Sequence, residues 1–357
     1  MSSEKSSYIV AGLMSGTSLD GLDVAICRFT KNNEWEYKIL AAKTFDYSRE
    51  LKLKLSEAHL LNGENLTQLH SDLGTLHGEW LHDFILLHKF EIDFIASHGH
   101  TVFHQPEKGF TLQIASPQHI AAITRIPVVA DFRTLDVALG GQGAPLVPIG
   151  DLQLFSKYKY CLNLGGIANI SIKNSSEEII AFDICHCNMS LNFIAEKLGH
   201  PFDRDGKIAA NGKIIPELRD ALNQLDYFQK AIPKSLGKEL FEQKILPLIS
   251  SFIPEEYVLT TITHHIADQI LSVLNQFGPG DVLVTGGGAY HKLLIELLRD
   301  QAASKIVVPE DNIIQFKEAL IFAFLGVLRW RNEPNCLASV TGASRNNCGG
   351  VIILPTE

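Results

Sequence analysis

Two short apolar runs, 8–14 and 22–29, flank the segment SGTSLDG, and a second pair, 160–164 and 170–172, flanks GGIAN about 150 positions later. Aliphatic runs of this length, bounded by glycine, serine and aspartate, read as strands joined by a turn. One such hairpin in each half predicts an internally duplicated chain. Length agrees, since 357 residues exceed the ~250–300 at which a single core stops growing.

Between the hairpins, Leu66, Leu69, Leu73, Leu76, Trp80, Phe84 and Leu87 recur at three- and four-residue spacing, the pattern of an amphipathic helix. Segments 92–97, 111–115 and 128–130 read as short strands, and 117–123 as a helix with proline in its first turn. In the second half, 179–183 and 281–285 read as strands. Segments 188–198, 257–277 and 317–330 read as helices, the second of them ended by Gly278 and Pro279. Strands alternating with helices make the fold class mixed α/β.

Composition narrows the function. A net charge of −9 and a pI near 5.9 oppose a nucleic-acid partner, which would favour a clustered basic face. No run approaches the ~18 apolar residues of a membrane span, and the first residues lack a signal-peptide core, so a cytoplasmic chain with no membrane partner is expected. Six cysteines form no CxxC pair, so neither a disulfide scaffold nor a zinc ribbon is indicated.

Glycine lets backbone amides approach a phosphate closely, because it lacks a Cβ and tolerates positive φ. Segment 15–21 meets that need and adds the hydroxyls of Ser15, Thr17 and Ser18, with Asp20 and Asp23 available to a magnesium ion or to water. Segment 165–169 forms a second such loop. A third, Gly286, Gly287 and Gly288, opens a helix and suits the adenosine end of a nucleotide. Any one of these is more often only a turn; the set of three points to ATP. Neither GxxxxGK[ST] nor a strand followed by GxGxxG occurs, so the site is a cradle of hairpins.

Asp183 closes the apolar run IIAFD just before a helix, at a strand's carboxyl end where ligands of α/β folds gather. Phosphoryl transfer needs one such carboxylate as base, although a helix-capping role reads equally well for Asp183 alone. His98, His100 and His104, with Asp131, are a rival reading as a hydrolytic metal site. Cys185, His186 and Cys187 are a poor chelate, since alternate strand residues face opposite ways. Arg133, ahead of GGQGAPLVP, can clamp a substrate carboxylate or pair on the surface with Asp136.

The motifs AGLMSGTSLDGLDVA, HGHTVFHQP, ADFRTLDVALGGQGAPLVP, LNLGGIANIS, VTGGGA, KEALIFAFLG and SVTGAS together resemble, in order, the anhydro-N-acetylmuramic acid kinases, over almost the whole chain. The first motif and GGQGAPLVP are specific to that family; the glycine turns are shared with the actin, hexokinase and chaperone ATPase superfamily. The resemblance implies a two-lobed, actin-like (ribonuclease H-like) fold: a duplicated mixed sheet flanked by helices. Residues 1–150, with 331–357 packed on them, would form one lobe and 151–330 the other, closing on ATP, Mg2+ and an anhydro amino sugar. The implied reaction opens 1,6-anhydro-N-acetylmuramic acid with water and phosphorylates O6. Asp183 would match the base that activates that water. Gly16, Thr17, Ser18, Asp20, Gly21 and Asp23 would match the first phosphate loop, and Gly165, Gly166 and Asn169 the second. Gly286, Gly287 and Gly288 would match the adenosine loop. His98, Thr101, Arg133, Gly143, Ala144, Pro145 and Glu318 would surround the sugar.

Three departures stand out. DICHCN, 183–188, replaces the family's usual DTGPGN, putting Cβ atoms where glycines are usual; HGHT replaces HGQT at His100; GGGAYH replaces GGGAxN at His291. They leave a non-catalytic nucleotide or glycan sensor as a further reading, besides the metal hydrolase. A homodimer is the oligomer to test for, as dimers are the commonest closed assembly.

Overall fold

The computed structural model describes residues 5–16, 19–174 and 178–355, so Thr17 and Ser18 of the expected phosphate loop lie outside the described residues. The strands are, in chain order, β1 (Ser7–Ser15), β2 (Gly21–Lys31), β3 (Trp35–Asp46), β4 (Phe94–Gln105), β5 (Phe110–Ile114) and β6 (Val128–Ala130). After them come β7 (Tyr160–Leu164), β8 (Ile167–Lys173), β9 (Ile179–His186), β10 (Val282–Thr285), β11 (Ile306–Val307) and β12 (Val351–Ile353). The chain divides into two compact units, Met1–Leu154 with Phe316–Glu357, and Phe155–Gln315.

The first unit's sheet has the order β12-β6-β4-β1-β2-β3, with β5 added on β4. β1 and β2 form the expected hairpin, antiparallel from Ser7↔Thr30 to Ser15↔Leu22, while β4 runs parallel to β1 and β6 parallel to β4. Side chains alternate across the sheet, so each face collects its own partners. Ala11, Leu13, Val24 and Ile26 join Leu69, Leu73, Leu81 and Phe84 of the Gly63–His88 helix in one core. On the other face Gly12 lets a helix come within backbone contact: a Cβ there would lie 2.0 Å from the Ala319 carbonyl oxygen. That helix, Asp311–Trp330, is also held by Phe324 against Phe29 and Trp35. Residues 316–330, read from sequence as part of the second lobe, therefore belong to the first unit. β12 pairs antiparallel with β6.

The second unit repeats the pattern, β11-β10-β7-β8-β9, with β7, β8 and β9 antiparallel in succession and β10 parallel to β7 and β11. In both units the central order is therefore 3-2-1-4-5 with the second strand antiparallel, which is the duplicated mixed sheet the resemblance implies. The Glu255–Phe277 helix buries Val258, Leu259, Ile262, Ile266, Ile270 and Leu274 against this sheet. Such a stripe, at about 1.5–3 kcal/mol per side chain, anchors a helix far more than its propensity does. It ends at Gly278, at φ 79°, and Lys159 Nζ donates to the Phe277 and Gly278 carbonyls at 2.5 and 3.3 Å. Among the described residues no helix is long and apolar enough to cross a membrane.

Candidate active site

In the first unit, β1 and β2 present Gly16 and Asp20 at the hairpin tip, where Leu19 N donates to Gly16 O at 3.3 Å and Asp20 is exposed. Gly21 is required by packing, since a Cβ would lie 2.3 Å from Phe45 O. Asp23 is half-buried and accepts from Thr44 Oγ1 at 2.5 Å. Burial raises the Asp23 pKa; the Thr44 bond opposes this and the like charge of Asp20 adds to it. Ser15 departs from its expected role as a phosphate donor. It is 1% exposed, and its Oγ lies 3.0 Å from His100 Nδ1 and 2.7 Å from Tyr47 Oη, so the hydroxyl is engaged internally.

The same unit gathers several of the residues matched to the sugar. Arg133 Nε donates to His98 Nε2 at 3.0 Å, and Arg133 Nη1 to Gly143 O at 2.6 Å. His98 Nδ1 donates to Gly99 O at 2.9 Å, so the ring is the neutral Nδ1–H tautomer. Burial, then the Arg133 charge, hold its pKa well below the usual histidine range. Burial also brings Arg133 down to about 10. Glu318 keeps an accessible side chain, yet the protein around it displaces enough water to raise its carboxyl pKa, with Arg133 the main opposing charge. Ala144 is half-buried and Pro145 exposed beside Gly143, while Thr101 Oγ1 accepts from Gln113 Nε2 at 3.4 Å.

Asp136 makes no surface pair with Arg133, contrary to one sequence reading. It is fully buried: Oδ2 accepts from Gly143 N at 2.8 Å, and Oδ1 accepts from Cys336 Sγ, Thr341 Oγ1 and Asn347 Nδ2 at 2.9, 2.9 and 2.8 Å. The loop carrying Gly143 is thus tied to the C-terminal segment through one carboxylate.

The histidines do not converge as the metal reading required. Both His98 nitrogens are engaged by Gly99 and Arg133, His100 bonds Ser15, and His104 Nδ1 lies 3.1 Å from Thr111 Oγ1. Asp131 instead accepts from Thr134 N at 3.3 Å. Among the described residues no three histidine, cysteine or acidic side chains are grouped to hold a metal ion.

In the second unit, Asn163, Asn169 and Asp183 stand directly opposite one another across β7, β8 and β9, a polar row across the sheet; β9 runs on to His186, so Asp183 lies within its strand and not at the end the sequence suggested. Asp183 is half-buried. Its Oδ2 accepts from Leu236 N at 2.8 Å and its carbonyl from Tyr227 Oη at 2.7 Å; Oδ1 has no partner among the described residues. Burial raises the Asp183 pKa, partly offset by the Leu236 amide. The Gly165 and Gly166 carbonyls accept from Asn188, Cys187 and Met189 N–H groups at 3.0, 2.8 and 3.2 Å, so the glycine turn closes on the segment that follows β9. Asn188 Nδ2 adds a bond to Leu164 O at 3.0 Å. Gly286, at φ 80°, packs on Asn163 and Leu164, and Gly288 on Leu164.

The departures at DICHCN resolve inwards. Ile184, Cys185 and Cys187 are buried in the unit's core, and His186 packs on Phe241 and bonds Gly237 O at 3.1 Å, so the added Cβ atoms join the protein interior. His291, in place of asparagine, still caps its helix by accepting from Leu294 N at 3.3 Å.

The family model of anhydro-N-acetylmuramic acid kinase matches residues 7–355. Relatives of that name from Bacillus cereus (strain 03BB102) and Bacillus thuringiensis (strain Al Hakam) are each 32% identical over 97% of this chain and cover 99% and 98% of their own lengths. Among solved structures, component A of (R)-2-hydroxyglutaryl-CoA dehydratase from Acidaminococcus fermentans is similar at 12% identity and a TM-score of 0.45, covering 88% of this chain and 96% of that one. A family match of this extent makes the chain a carbohydrate kinase. It belongs to the anhydro-N-acetylmuramic acid kinase family.

Proposed function

We propose that this chain uses ATP to phosphorylate O6 of 1,6-anhydro-N-acetylmuramic acid while water opens the anhydro bridge, giving N-acetylmuramic acid 6-phosphate and ADP in cell-wall recycling. Asp183 carries the reading. Its carboxylate projects from within β9, three residues before that strand ends at His186, with one oxygen fixed by the Leu236 amide and the other unbonded, and its raised pKa makes it a stronger base than an ordinary aspartate. Asp183 takes a proton from water; the water oxygen bonds the anomeric carbon, the C1–O6 bond breaks, and O6 accepts the γ-phosphoryl group from ATP.

Gly166 supports the phosphate role of its turn. A Cβ there would meet no protein atom within 4 Å, so packing does not demand a glycine and close approach of a ligand explains it. Gly16, Asp20, Gly21, Asp23, Gly165 and Asn169 would cradle the phosphates, and Gly286, Gly287 and Gly288 the adenosine. Asp20 and Asp23 suit Mg2+, because two carboxylates that repel one another are the oxygen donors such a cation neutralises; when bound it offsets phosphate charge. His98, Thr101, Arg133, Gly143, Ala144, Pro145 and Glu318 would hold the sugar, Arg133 being oriented by His98 and Gly143 O before any ligand arrives. A cytoplasmic location and a homodimer belong to the same reading. Release of ADP dependent on the anhydro sugar, in a coupled assay across several anhydro sugars, tests it; ATP turnover indifferent to every sugar would overturn it.

A further inference from the structure

A buried chain of hydrogen bonds runs through the first unit behind the phosphate hairpin. His77 Nε2 lies 2.9 Å from Tyr47 Oη, Tyr47 Oη 2.7 Å from Ser15 Oγ, and Ser15 Oγ 3.0 Å from His100 Nδ1. All four side chains are at most 3% exposed. They come from the Gly63–His88 helix, the segment after β3, the end of β1, and β4, so only the tertiary fold assembles them. Tyr47 is also fixed by stacking on His77 and Trp80, at 6.1 and 6.0 Å between ring centroids.

Such a chain can point its protons either way, and two observations set the direction. The Tyr47–Ser15 contact has the phenol as donor and Ser15 Oγ as acceptor. His77 Nδ1 is buried with no partner. Were the chain reversed, His77 would carry its proton on that nitrogen, burying an N–H with no acceptor; in the forward direction it buries only a lone pair, the orphan that proteins tolerate better. Forward means that His77 Nε2–H donates to Tyr47, Tyr47 to Ser15, and Ser15 to His100 Nδ1. His100 then keeps its own proton on Nε2, which meets no protein partner among the described residues and is not sealed in as His77 Nδ1 is.

We infer that Tyr47 and His77 are positioning residues that lock His100 as a neutral Nε2–H donor for an acceptor oxygen of a bound substrate. His100 is hydrogen-bonded to the residue that opens the phosphate hairpin, so that oxygen belongs either to ATP or to the sugar. A histidine, unlike an amide, offers an N–H at a given nitrogen only in the right tautomer. The relay supplies that condition. The kinetic consequence rests on the function proposed above; the tautomer does not.

The test uses the full-length protein. Long-range 1H–15N correlation of the histidine rings should show His100 as the Nε2–H tautomer in the parent and a mixture in Tyr47→Phe, which removes one hydroxyl and keeps the stacked ring. A parent in the Nδ1–H form, or a tautomer indifferent to Tyr47→Phe, overturns the inference whatever the substrate is. Kinetically, Tyr47→Phe should raise KM for one substrate roughly three- to tenfold, the weight of one hydrogen bond, with kcat held. Which KM moves tells ATP from sugar. In a His100→Gln background the same change should have no effect; an equal loss in both backgrounds marks a merely structural tyrosine and overturns the inference. A protein that turns over no anhydro sugar defeats the proposed function, while the ring spectra still decide the relay.

Discussion

Replacing Asp136 by asparagine removes one acceptor from a buried carboxylate that holds four donors. Keeping Cys336, Thr341 and Asn347 satisfied on the remaining oxygen turns the new NH2 group against Gly143 N–H, 2.8 Å from Oδ2 in the parent. The opposite orientation sets the NH2 against three donors and is worse. A hydrogen bond to a charged group contributes about 1.5–3 kcal/mol, and a buried amide left without an acceptor costs about 1–3 kcal/mol. These overlap in Gly143, so the expected destabilisation is about 3 kcal/mol. At about 2–4 °C per kcal/mol for a unit of this size, the first unit's melting midpoint should fall by about 6–12 °C in calorimetry. Gly143 O is also the acceptor that aligns Arg133 Nη1, so KM for the sugar should rise while KM for ATP holds. A loss below about 1 kcal/mol, or an unchanged sugar KM, would refute the idea that this carboxylate ties the loop to the C-terminal segment.

Asp183→Asn should abolish sugar-driven ADP release in the coupled assay yet leave ATP binding measurable by titration calorimetry; near-normal turnover would remove Asp183 as base. The same variant should be at least as stable as the parent at neutral pH. Because the folded protein raises the Asp183 pKa, it binds that proton more tightly than the unfolded chain, so ionising the carboxyl as pH rises costs stability. The variant's advantage in urea melts should therefore shrink as pH falls through the folded pKa, and an advantage growing toward acid would contradict it. Gly12→Ala should prevent stable folding, because the new methyl would meet Ala319 O at 2.0 Å, whereas Gly166→Ala should melt like the parent and raise KM for ATP about tenfold or more. Equal melting of both variants would contradict the distinction between packing glycines and ligand glycines.

Periodicity and turn chemistry reach a long way in this chain. The two hairpins, the long amphipathic helices and the first half of β9 are local patterns, legible because alternation and 3.6-residue spacing are written in consecutive residues. β3 escaped, since WEYKILAAKTFD lies mostly half-exposed and lacks the clean alternation of a strand with one buried face. Turn chemistry singled out the glycine loops, Asp183 and Arg133, and the family motifs assigned them partners and added most of the residues matched to the sugar.

What those residues touch was settled elsewhere. Asp136 gains partners 200 to 211 positions away in Cys336, Thr341 and Asn347, Ser15 meets His100 across 85 positions, and Lys317 pairs with Asp151 at 2.7 Å in the interior. DICHCN looked from sequence like an intrusion upon a phosphate site, yet the side chains of Ile184, Cys185, His186 and Cys187 are buried in the interior. Most of the secondary structure follows from neighbours along the chain, so the sequence alone made all but elements such as β3 legible. Hydrogen-bond partners follow from which strands and segments lie side by side, and only the tertiary packing within each unit decided that.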